Sequence, residues 1–254
     1  MIVMPLGARA DVVVSGSFGP NGDVGFVHSP PGLSITFGND NMGSIFQMDG
    51  FVNASNINWS GGVTGSDPNG TSGQLTDGPP AGIGYNFMAT QPTVHELLLN
   101  YTFHNTGPDA QGFQFMYYVD PDTGLGNEWA TSAGTAGFGL TTYQVGDPQS
   151  SSIFFNLDNG TLNNVNDYPS MSQTGNVAMA LGFSFGDFAP GNTAAFQVLL
   201  SDDGSKIGSF SLTDHTVDLL TLSGQIVVPE PSSFVLFGAG LAALVIAYRK
   251  RRVV

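Results

Sequence analysis

An all-β fold, an antiparallel β-sandwich or jelly roll followed by a single C-terminal transmembrane helix, is what these 254 residues predict. Three observations predict it. Helix formers are scarce: Glu occurs only as Glu96, Glu128 and Glu230, and Lys only as Lys206 and Lys250, against 35 Gly and 15 Pro. Short runs of β-branched and aromatic residues recur, each bounded by Gly, Asn, Asp or Pro. Near the end, Ser232 to Tyr248 runs 17 residues without a charge.

In chain order the predicted strands are Val12 to Ser17, Ser34 to Phe37, Ile45 to Val52, Gly84 to Ala89, Glu96 to His104 and Gly112 to Val119. They continue with Phe138 to Val145, Ser152 to Leu157, Val177 to Phe185, Ala194 to Ser201, Lys206 to Ser211 and Asp218 to Val228. Alternation is clearest where Leu97, Leu99, Tyr101 and Phe103 share one face while Leu98, Asn100 and Thr102 take the other. Phe113, Phe115 and Tyr117 repeat the pattern one strand later, so the two runs are expected to form a hairpin around His104 to Asp109. Ala189 to Asn192 and Asp202 to Ser205 carry the residues of further turns. The Gly-rich stretch Gly61 to Gly84 reads as a long loop.

Composition shifts divide the chain into residues 1–10, an acidic sandwich body over 11–228, and a tail over 229–254. The body holds 19 acidic residues against one cation, Lys206. Such a balance excludes nucleic-acid binding by phosphate neutralisation. It also creates self-repulsion that bound cations would relieve. Cys is absent, which excludes disulfides, thiolate metal sites and Cys nucleophiles.

Catalytic signatures are missing, and the chain is not expected to be an enzyme. His28, His95, His104 and His215 form no ligand spacing and read as separate surface side chains. There is no GxSxG and no Gly-rich phosphate loop ending in Lys. One segment, Asp120-Pro121-Asp122-Thr123-Gly124-Leu125-Gly126-Asn127-Glu128, alternates oxygen donors as calcium loops do, without the full EF-hand spacing. Two readings stand: an Asp-rich turn, or a Ca²⁺ site in which Asp120 and Asp122 supply carboxylates and Asn127 or Glu128 completes the shell. Trp59 and Trp129, with exposed Tyr, are candidate stacking platforms for a carbohydrate-binding or carbohydrate-active module.

At the N-terminus, Ala8-Arg9-Ala10 fits the small-x-small pattern of a signal-peptidase site, with Asp11 opening the mature chain. Met1 to Ala10 has no charged n-region and little of an apolar core, so the segment is read as the remnant of a signal peptide whose true start lies upstream.

The tail is the most specific part of the chain. Seventeen uncharged residues rising 1.5 Å each reach the short end of a bilayer span. Arg249, Lys250, Arg251 and Arg252 follow at once, and the positive-inside bias keeps them cytoplasmic with the acidic body across the membrane. Gly238, Gly240, Ala242 and Ala243 offer a small-residue face for another helix. Val228 to Arg252, VPEPSSFVLFGAGLAALVIAYRKRR, resembles the PEP-CTERM sorting signal of exported bacterial proteins: a Pro-Glu-Pro triplet, a short membrane helix and an Arg-rich end.

The resemblance implies recognition by an exosortase, a multi-spanning membrane processing enzyme. Pro229, Glu230 and Pro231 would form the recognition motif, and Arg249 to Arg252 the stop-transfer end. Two prolines around a Glu remove two backbone donors and favour an extended peptide. Tyr101 to Gly107, Tyr118-Val119-Asp120, and Phe188 to Gly191 leading into Leu200 to Asp203 resemble the β-sandwich bodies of such proteins more loosely. The expectation is an exported surface or extracellular-matrix component with a structural or adhesive role in biofilm. Its partners would be the exosortase, exopolysaccharide, divalent cations, and the membrane through the C-terminal helix.

Overall fold

The computed structural model describes residues 12–15, 34–38, 43–54, 82–122, 127–135, 139–148, 152–216 and 219–227. They form two facing sheets, with strands numbered in chain order. The first sheet runs β1 (Val13–Ser15), β2 (Ser34–Phe37), β3 (Gly43–Asn53), β6 (Ala110–Asp122), β10 (Ala178–Phe188), β8 (Leu140–Gly146) and β9 (Val165–Asn166). The second runs β4 (Ile83–Thr90), β5 (Glu96–Asn105), β11 (Thr193–Ser201), β13 (Leu220–Val227), β12 (Phe210–Asp214) and β7 (Ala130–Gly134). Neighbours are antiparallel except β8 and β9. The architecture is the β-sandwich that the strand pattern predicts.

The core follows from period-2 alternation. Leu97, Leu99, Tyr101 and Phe103 of β5 are buried, as are Phe113, Phe115 and Tyr117 of β6. The two sheets meet through rings: Phe115 of β6 lies 5.0 Å from Phe196, 4.9 Å from Tyr101 and 5.4 Å from Phe103. Each such ring contributes about 2 to 3 kcal/mol on burial, and tilted or edge contacts between rings add to that.

Three local expectations are corrected. β5 and β6 are not a hairpin, because they belong to opposite sheets and Thr106 to Asp109 arches between the layers. Ala189 to Asn192 is the expected turn, and it makes a second arch, from β10 to β11. Ser152 to Leu157, read as a strand, instead forms the helix α1 (Ile153–Asp158). As a helix it turns Ile153, Phe154 and Leu157 onto Tyr118 and Phe51, covering the outer face of the first sheet, and leaves Phe155 exposed. Tertiary burial overrides the β propensity of those residues. The strand expected at Lys206 to Ser211 is displaced to Phe210–Asp214. Gly208 sits at φ +70° and the N–H of Ile207 donates to Ser223 Oγ, which keeps that stretch off the ladder. Strands β7 and β9, short and polar, are additional to those predicted.

Candidate functional site

Strand directions give the sandwich two unlike rims. Both arches lie at one rim, and buried Asn105 staples them together. Its Nδ2 donates to the carbonyl of Pro108 at 2.8 Å and to that of Phe188, and its Oδ1 accepts from the N–H of Gly107 at 2.9 Å. Its backbone carbonyl takes the N–H of Gly191 at 2.7 Å. Gly82, at φ +86°, closes the same rim by accepting the N–H groups of Thr106 and Gly107. A Cβ on Gly82 would stand 2.7 Å from Gly107 Cα, so the approach needs glycine.

The opposite rim collects carboxyl groups from the far ends of β6, β8, β11 and β12: Asp120, Asp122, Asp147, Asp202 and Asp214, with Glu128 between β6 and β7. Asp120, Glu128 and Asp214 are buried, whereas Asp122 is exposed. Burial pushes Asp120 up to about 8, the charge of Glu128 adding to the effect and Tyr118 opposing it. Asp214 is pushed to about 6 by burial, against hydrogen bonds from the Thr216 hydroxyl and backbone N–H. Glu128 Oε2 accepts the N–H of Val177 at 2.7 Å. Asp202 is raised by burial, with His95 opposing.

Beside these groups, Trp129 stacks on His215 with ring centroids 4.3 Å apart and planes 13° from parallel. His215 Nε2 lies 2.7 Å from Thr131 Oγ1, and burial lowers the His215 pKa. Both rings are half-buried. The hollow lined by Val12, Val13, Val14, Gln91, Pro92 and Val94 contains none of the rim carboxyl groups.

Two His expectations change. His95 is no separate surface side chain, since its Nδ1 lies 3.0 Å from Asp202 Oδ1, and His215 belongs to the Trp129 stack. Of the calcium candidates, Asp120 turns inward and Asp122 outward to solvent, and residues 123–126 lie outside the described residues. Among the described residues no group of three or more His, Asp or Glu is disposed to hold a metal. The neighbourhood of Asp120, Glu128 and Asp214 was not visible in the sequence: 86 positions separate Asp214 from Glu128.

The tail begins where β13 ends. Val227, its last residue, pairs with Ala195, and Pro229 follows two positions later. Pro229, Glu230, Pro231 and Arg249 to Arg252 lie outside the described residues, as do Ala8, Ala10, Trp59 and the apolar run Ser232 to Tyr248. Among the described residues no helix is long and apolar enough to cross a membrane. Residues 227–252 match the PEP-CTERM protein-sorting motif. No curated protein and no solved structure matches the chain.

Proposed function

We propose, on the premise that this chain carries a PEP-CTERM protein-sorting motif at residues 227–252, that its body is non-enzymatic freight for the cell surface. The motif makes it an exported precursor sorted by an exosortase. Beyond that, the body serves as a structural or adhesive component of the extracellular matrix of a biofilm. Exopolysaccharide is its matrix partner, and divalent cations gather at the acidic rim by its field. The observation that carries the reading is the direct junction of a closed sandwich, through β13, to a complete sorting signal. Fractionation of cells expressing the full chain beside a chain ending at Val228 tests it. The full chain is expected at the membrane and then the surface; equal distribution of the two overturns the reading.

A second reading, a carbohydrate-binding module, is favoured by the half-buried Trp129 and His215 stack beside carboxyl groups at an open rim. Aromatic faces of that kind stack on sugar rings. Glycan pull-down with the full chain and with Trp129→Ala separates the readings: retention that disappears with the ring supports a lectin-like role, and absence of retention removes it.

A further inference from the structure

We infer that the arch rim is the surface this protein lays against the lipid headgroups while its sorting signal is intact, and that the acidic rim is thereby held outward. The inference rests on the sorting reading above.

The argument is one of length. Val227 is still paired to Ala195, and the first apolar side chain of the tail is Phe234, so the tether is Val228 to Ser233. Six residues reach at most about 20 Å even when fully extended. Strand β13 exits at the arch rim: Val227 and Ala195 lie at the β11 end that also holds Thr193, and Thr193 pairs with His104 just before Asn105. From Val227 back to Leu220, at the acidic rim, is a strand of eight residues, or about 25 Å. A tether shorter than the body confines the arch rim near the bilayer.

Chemistry decides between an upright body and one lying on its flank. A body on its side would bring Asp122 and its neighbours down to the headgroups and strip water from them, which costs free energy for every charge dehydrated. The arch rim has far less to lose. Over 104–109 and 187–192 the ionisable side chains are His104, Asp109 and Asp187, fewer than the carboxyl groups of the opposite rim, and Pro108, Ala189 and Pro190 are apolar. Its inward backbone groups are already satisfied: Asn105, Gly107 and Gly191 hydrogen-bond within the rim. A rigid, low-charge, self-satisfied edge tolerates a lipid surface that a carboxylate-lined edge does not.

The chain lacks Cys, so a single engineered thiol reports one place. Asn192→Cys marks the arch rim. Met171→Cys marks the acidic rim: it is 77% exposed in the turn closed by Ser170 and Gln173, beside the Glu128 and Gly175 bridge. Each full-length variant, carrying a fluorophore on the thiol, is incorporated into phosphatidylethanolamine and phosphatidylglycerol vesicles containing a lipid with a nitroxide headgroup. Flotation reports anchoring first. The fluorophore at position 192 is expected to lose most of its emission and the one at 171 to keep most of it. Equal quenching, or stronger quenching at 171, in chains that float overturns the orientation and leaves the anchored precursor standing. A full chain that does not float removes the anchored precursor, and the orientation with it.

Discussion

Val227 pairs with Ala195 at the last rung of the ladder between β13 and β11, and the sorting motif starts on that same Val227. Body and signal therefore share a residue, with no spacer between them. A chain ending at Val228 is expected to keep every strand pair and unfold cooperatively in urea. A chain ending at Ser223 loses the four pairs from Gly224 with Val198 to Val227 with Ala195. At about 1 kcal/mol for each backbone bond lost, that truncation destabilises the body by about 2 to 4 kcal/mol. Coincident urea midpoints for the two chains would contradict the assignment of β13.

Asn105 is expected to be worth more than an ordinary loop residue. Asn105→Ala removes two donated bonds to the carbonyls of Pro108 and Phe188 and the acceptor for Gly107 N–H, all within a buried site. The cost is about 2 to 4 kcal/mol, since the abandoned groups stay dry. Asn105→Asp is no rescue, because a carboxylate offers no N–H. Urea unfolding of both variants checks this, and a stable Asp variant would show that the donated bonds do not matter.

Phe196 and Phe155 make a matched pair of tests. Phe196 is fully buried among rings of both sheets, whereas Phe155 is 66% exposed on α1. Phe196→Ala is expected to cost about 3 to 5 kcal/mol through transfer and cavity terms. Phe155→Ala should stay within about 0.5 kcal/mol of the parent. The opposite ranking in thermal or urea unfolding would mean that α1 packs with its other face.

Asp120 should make stability fall as pH rises. Its folded-state pKa is pushed up to about 8 by burial, with Glu128 adding, while an unfolded Asp titrates near 4. Between those values the folded protein keeps a proton that the unfolded chain has released, so the contribution is full below about pH 4 and lost by about pH 8. Asp120→Asn removes the proton uptake. It is expected to flatten the slope and to gain about 1 kcal/mol or more at pH 8, with little change at pH 4. Parallel plots of urea midpoint against pH for parent and variant would refute this placement of the proton.

Much of the sandwich was readable residue by residue. Alternation in β5 and β6 names the buried faces correctly, because period 2 is a property of neighbouring residues. The same reasoning fails at Ile153 to Asp158, where β-formers make a helix because an uncovered sheet face needs a lid. It fails again at β12, where Asp214 closes the strand and polar Ser211 and Thr213 hide its pattern. At the acidic rim the individual Asp residues stand out in the sequence, but their burial does not.

What consecutive residues encode, the chain states openly: the alternating strands, the scarcity of cations in the body, and a tail of triplet, apolar run and basic end. Those are local properties of consecutive residues. Which strands pair, which way the arches cross, and how Asp120, Glu128, Trp129, Asp214 and His215 come to share one rim all depend on contacts between distant positions. Hydrophobic burial is non-directional, so the pattern says that Phe115 and Phe196 go inside without saying that they meet. Packing of two sheets makes that choice, and with it the two unlike rims.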